Sequence, residues 1–152
     1  VNGDNSTISR SGIRRAIALR VKQTGLAEAQ VVHGAKGAPN GPAAVFGVGF
    51  LGNDAGELRG ESGGTLATSQ RFAVELLHRA QPTAGPDVWD TQIDDEARVR
   101  HVLLTSPTVE DVLRPWQHRI IYLGTDDPTI EGAGAYRRIV LHFRIGLHES
   151  LE

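Results

Sequence analysis

Cysteine and methionine are both absent from this chain of 152 residues. Without cysteine there is no disulfide scaffold, no thiolate metal ligand and no cysteine nucleophile. The chain opens on Val1, as expected where a start residue has been removed or the chain processed. Aromatic residues are scarce: two Trp, two Tyr and four Phe. So few rings cannot interleave with cations as a stacking platform for single-stranded nucleic acid. Neither charge dominates, since 16 Lys and Arg stand against 18 Asp and Glu, for a formal charge of −2. Sequence-independent DNA binding needs many uncompensated cations, which argues against that class. A long hydrophobic run is missing too. The longest, Pro42–Leu51, contains two glycines and is too short to span a bilayer. The first 22 residues carry Arg10, Arg14, Arg15, Arg20 and Lys22 but no continuous apolar stretch of a signal peptide.

What is present is a single domain's worth of chain, 1–152, with 18 glycines and seven prolines that imply long loops. A globule of this length buries roughly 70% of its unfolded surface, enough for a core without staples. Residues 1–9 are polar and expected to be a mobile N-terminus. Ser9 or Ser11 can cap a helix to about Lys22, with Ile13, Ile17 and Val21 on one stripe, Ala16 beside it, and Arg14, Arg15 and Lys22 pointing away. Gly25 is its expected stop. Gln30–His33 reads as a short strand, and Gly34–Pro42, with three glycines and two prolines, as a loop.

Ala44–Leu51 alternates as a strand, Phe46, Val48 and Phe50 on one face. Gly52–Thr68 follows, rich in glycine and charge, too long for an ordinary connection. It reads as a functional loop or an extended hairpin arm. Ser69–Ala80 reads as a second strand, with Phe72, Val74 and Leu76 on one side, Glu75 and Arg79 on the other and Leu77 between them. Asp87 can cap a long helix to Leu104 whose stripe runs Trp89, Ile93, Ala97 and on to Val99, Val102 and Leu103. Thr108 with Asp111 resembles a capping box opening a short helix to about Leu113. His118–Gly124 is a third strand and Thr125–Gly134 a polar turn. Tyr136–His148 is the clearest strand, with Ile139, Leu141, Phe143, Ile145 and Leu147 opposite a basic face. The predicted fold is α+β: a single mixed or antiparallel sheet of four or more strands, two main amphipathic helices packed on one face, and a long loop or hairpin arm at 52–68.

Three features look like chemistry. Gly47–Gly52 matches G-x-G-x-x-G, but it lies inside a strand pattern and no helix follows, so it reads as a glycine-bearing strand. Gly60-Glu61-Ser62-Gly63-Gly64 looks like the nucleophile segment of trypsin-like proteases. Only His33 precedes Ser62, and the 61 residues before it are too few for the first of two barrels, so it reads as loop. Among the six histidines no pair has H-x-x-x-H spacing. His142 and His148 share a strand face but lie roughly 20 Å apart at about 3.3 Å per residue, too far for one metal. All six read as surface or interface histidines. Asp94-Asp95-Glu96 reads as the exposed side of a helix and Asp126-Asp127 as a turn. The expectation is no enzyme, no cofactor, and no catalytic or metal residues.

The order of elements carries more than any motif. An N-terminal amphipathic helix precedes Ala44-Val45-Phe46-Gly47-Val48-Gly49-Phe50-Leu51. A long arm leads to Arg71-Phe72-Ala73-Val74-Glu75-Leu76-Leu77, and a long helix follows. The chain closes with Ile120-Ile121-Tyr122-Leu123, an acidic turn, and the strand from Tyr136 to Ile145. This layout resembles the tail terminator (tail-completion) proteins of long-tailed, lambda-like bacteriophages, over roughly Arg10 to His148. The resemblance implies a structural virion protein: a homo-oligomeric ring, usually a hexamer, at the head-proximal end of the tail tube. Such a ring ends tube polymerisation and offers the joining surface for the head–tail connector. Its partners would be further copies, the tail tube protein and the connector protein. Genome DNA would pass through the channel without specific binding, and no membrane is involved. Assembly would occur in the host cytoplasm. A neck or head–tail adaptor protein is the alternative, ahead of a small soluble enzyme or ligand-binding domain. Within the arm, Asp54, Glu57, Leu58, Arg59, Glu61 and Leu66 are the candidate contacts to a neighbouring subunit or the tube.

Overall fold

A computed structural model describes residues 10–28, 43–59, 65–79, 88–105, 120–132 and 135–150. Helix α1 spans Arg10–Lys22 and is followed by the short strand β1 (Ala27–Glu28). Strands β2 (Ala44–Arg59) and β3 (Thr65–Arg79) come next, then helix α2 (Val88–Thr105). The chain closes with β4 (Ile120–Thr125), β5 (Thr129–Glu131) and β6 (Tyr136–Ser150). The strands form one mixed sheet in the order β1-β2-β3-β6-β4, with β5 also on β6. Among the described residues only the β1–β2 pair is parallel. This is the predicted α+β class.

Helix α1 forms for the reason its spacing implies. Ile13, Ile17 and Val21 are buried, joined by Ala18 rather than Ala16. The helix stops where Gly25 takes a φ of +93°, a conformation that strains any side chain. Turn bonds from Gln23, Thr24 and Gly25 N–H to the carbonyls of Arg20, Val21 and Lys22 satisfy the last turn. Arg14 departs from expectation: it turns toward the sheet and donates to the Val48 carbonyl at 3.2 Å.

Period-two alternation places one face of β2, β3, β4 and β6 against both helices. Register partners Val48, Val74 and Leu141 are all buried, as are Phe46, Leu76 and Ile139 one step along. At the outer limit of this core four rings form a row across the sheet. Phe50 meets Phe72 at 6.3 Å between centroids, Phe72 stacks on Phe143 at 5.2 Å, and Tyr122 tilts onto Phe143 at 5.4 Å. Half of the chain's scarce rings thus close one layer, where edge and stacked contacts add to area burial.

Several boundaries differ from the sequence reading. β2 runs on to Arg59 and β3 begins at Thr65, so the described flanks of the glycine-rich segment are paired strands, the hairpin alternative of the sequence reading and not the loop. β3 and β6 stay in register to Thr65↔Ser150. β5 lies within the segment expected to be a polar turn. Leu77 shares the back face with Glu75 and is buried. The segments predicted as a strand at 30–33 and a helix at 108–113, and the mobile terminus at 1–9, lie outside the described residues.

The phase of α2 also differs. Its buried positions are Gln92, Asp95, Val99 and Leu103, while Ile93 and Ala97 are exposed. Trp89 is half-buried, with the Arg137 guanidinium 5.2 Å over its ring, and is not part of the core with Leu141, Phe143, Ile145 and Ile17. The reason is a polar slot in the sheet, described next, that α2 must fill.

Candidate subunit interface

That slot is His78, on the helix-facing side of β3 and 2% exposed. Its Nε2 lies 2.7 Å from Asp95 Oδ2, and Gln92 Nε2 lies 3.0 Å from its Nδ1. An amide NH2 can only donate, so Nδ1 accepts and Nε2 carries the hydrogen given to Asp95. Gln92 also donates to the Arg137 carbonyl at 2.8 Å. His78 and Asp95 therefore correct the reading of every histidine as surface and of Asp94-Asp95-Glu96 as an exposed helix side. The dyad has the geometry that orients a catalytic imidazole, but both ring nitrogens are already used and the ring is shut away from solvent. It is a joint between α2 and the sheet. Burial of the imidazole is tolerated because both its ring nitrogens are hydrogen-bonded, while Gln92 Oε1 finds no hydrogen-bond partner among the described residues. No sequence spacing reveals it, because His78 and Asp95 meet only through tertiary packing.

The back face of the sheet, turned away from the helices, has two zones. In the first, Ala73, Glu75 and Leu77 are buried. The Glu75 carboxylate pairs with Arg138, which also reaches Glu131 at 2.5 Å. Burial holds the Arg138 guanidinium below the usual arginine pKa. In the second zone side chains open to solvent. Arg71 and Arg144 stand directly opposite each other on β3 and β6. Ile121 and Leu123 on β4 are exposed beside them. A bulge between Tyr122 and Gly124 leaves Leu123 without a partner on β6, and Gly124 takes a φ of +134° there. A pocket of about 440 Å³ opens here, lined by Leu51, Arg71, Leu123, Asp126 and His142 among others. His142 Nε2 and Asp126 Oδ2 are 2.8 Å apart on this surface, an exposed pair of small energetic weight.

Beyond the aromatic row, β2, β3 and β6 continue as a three-stranded extension. Its base is a knot around Gln70, which is 1% exposed. Gln70 Nε2 donates to the carbonyls of Leu51 and Arg71 at 2.8 and 2.9 Å, and Arg10 donates to its Oε1 at 2.8 Å. With its amide turned to suit its neighbour, Asn53 accepts from the same Arg10 at 2.6 Å. The knot sits at the register shift between Phe50 and Asn53, where ladder bonds are broken and free carbonyls need donors. Gly52 lies in this bulge, and a Cβ there would meet the end of the Arg71 side chain at 2.7 Å. The G-x-G-x-x-G match is thus a strand and bulge, with no helix after it.

The candidate arm residues fall along this extension. Asp54 is exposed opposite Ser69, Leu58 pairs with Leu66, Arg59 pairs with Thr65, and Glu57 lies in a second register shift between Ala55 and Leu58. Glu61 and Ser62 lie outside the described residues, as does His33. Among the described residues no group of three or more His, Asp or Glu could hold a metal ion. No described helix is long and apolar enough to cross a membrane. No protein-family model matches this chain, and no curated protein matches it either.

Proposed function

We propose that this chain is a ring-forming structural protein of a phage virion, seated at the head-proximal end of the tail tube. There it ends tube polymerisation and presents the joining surface for the head. The observation that carries the reading is the sheet's overrun of its helical layer. β2 has 16 residues and spans roughly 50 Å at about 3.3 Å per residue. The helices, of 13 and 18 residues, span only about 20 and 27 Å. Among the described residues the three-stranded extension has little helical cover, and an uncovered sheet offers itself to neighbours. Among the described residues the outer edge of β2 is paired only at Val45 and Phe46, leaving backbone donors and acceptors for an added strand. In a ring, one patch meets a different patch next door, which suits a chain whose two sides differ as these do.

The test uses purified tube protein polymerising in solution. Sub-stoichiometric amounts of this chain should cap growing tubes and shorten them, and labelled chain should mark one tube end. A variant with residues 55–64 replaced by a short Gly-Ser link should keep its fold and lose the capping. Tubes that grow to unchanged length with the intact chain present would refute the reading.

A further inference from the structure

The outward side of α2 and the open zone of the sheet's back face complement each other, and they lie on opposite sides of the molecule. Because α2 commits Gln92 and Asp95 to His78, its apolar residues Ile93, Ala97 and Leu104 face solvent. Their spacing places them along one side of the helix, a ridge of about 16 Å. Ile93 is 55% exposed and Leu104 44%. Asp90 and Asp94 are exposed on the first turns beside this ridge, and neither has an ion pair among the described residues. The helix's own cations are already used, Arg98 by Asp95 and Arg100 by Glu96.

The back face offers the converse. Ile121 is 41% exposed and Leu123 47%. Next to them Arg71 and Arg144 are direct cross-strand neighbours with no ion pair among the described residues. The end of the Arg71 side chain reaches over Gly52 on β2 while Arg144 stands on β6, so the surface carries two separate cations, each able to donate a charge-assisted hydrogen bond to a carboxylate arriving from outside. The pocket beside Leu123 has room for a branched aliphatic side chain.

We propose that a second copy of this chain lays the Ile93–Ala97–Leu104 ridge of its α2 on the Ile121 and Leu123 surface of the first. Asp90 and Asp94 of the second copy then meet Arg71 and Arg144 of the first. The surfaces are different and non-overlapping, so the contact is head-to-tail and repeats from copy to copy. This deepens the ring-forming part of the proposed function and rests on it, but it does not depend on the tail tube.

The absence of cysteine makes the contact directly testable. Single variants Ala97→Cys and Leu123→Cys, both at exposed positions, are mixed in equal amounts and mildly oxidised. The mixed disulfide should exceed either homodimer at least tenfold. Arg144→Glu should weaken self-association at least tenfold by sedimentation, and so should Asp94→Arg. The double variant carrying both reversals should recover it, since each junction regains an opposite pair. A dominant Ala97→Cys homodimer would mean a twofold contact and overturn the proposal. So would a chain that stays monomeric in every mixture, or reversals that do not compensate. Correct cross-linking by a chain that never caps tubes would leave this contact standing and refute only the tube reading.

Discussion

Where β2, β3 and β6 run beneath the helices, register partners such as Val48, Val74 and Leu141 are all buried. Six residues further along β2, past the bulge that shifts its phase, Asp54 is exposed on the sheet's other face, and its partner Ser69 lies opposite Gly146 on β6. The same ladder thus continues past the end of the apolar layer. Any residue but proline can make the ladder's hydrogen bonds, so a register started in a well-packed half can propagate outward once the bulge at residues 50–53 is accommodated. The aromatic row and the Gln70 knot mark the change from one regime to the other. A sheet can run on past its core, and here the buried apolar packing lies in the near half.

Four substitutions break or sharpen this contrast. The largest effect is expected at Phe143, which is fully buried and stacked on Phe72. Phe143→Ala should cost about 3–5 kcal/mol in denaturant unfolding, through lost transfer energy and the cavity left behind. A loss below 1 kcal/mol would mean the aromatic row does not close the core. Next comes Asp95→Ala, which leaves the buried His78 Nε2–H without its acceptor. About 1–3 kcal/mol should be lost, with the far strands unaffected in amide exchange.

Gln70→Leu is expected to cost about 1–2 kcal/mol, since the Leu51 carbonyl and Arg10 both lose a partner. Its signature is local: amide exchange in the far half of β2 should quicken more than in the near half. Uniform quickening would show that the knot is ordinary core and not a junction. The smallest effect is Arg144→Ala. Removing this cation, which has no ion pair among the described residues, should change folding stability by less than about 0.5 kcal/mol while weakening self-association. A clear drop in melting temperature would place Arg144 in the fold's own framework instead.

Much of the near half was legible from residues alone. Alternation in Phe46-x-Val48-x-Phe50, Phe72-x-Val74-x-Leu76 and Ile139-x-Leu141-x-Phe143 assigns faces without knowledge of neighbours, because a strand's period of two is a property of its own backbone. The stop at Gly25 is local in the same sense. The far half was legible only as a choice between a loop and a hairpin arm. Asn53–Arg59 carries the glycine and charge of a loop, and its strand conformation comes from pairing with β3, itself aligned by β6.

The α2 ridge shows most sharply where local reading ends. Periodicity determined that α2 is a helix and that it carries apolar residues at 93, 97, 99 and 103. Which of them turn inward depends on what the sheet presents, and β3 presents His78. Two hydrogen bonds to a buried imidazole offset the lost burial of Ile93, because turning α2 to bury Ile93 would leave two ring nitrogens unsatisfied in the core. The sequence by itself determined the class of fold, the strand faces and the helix positions, since these follow from backbone periods within one segment. Only the tertiary structure decided the rotation of α2, the length of the paired strands and the facing of Arg71 with Arg144. Each of these is set by partners distant in the chain, and no local pattern encodes a partner's position.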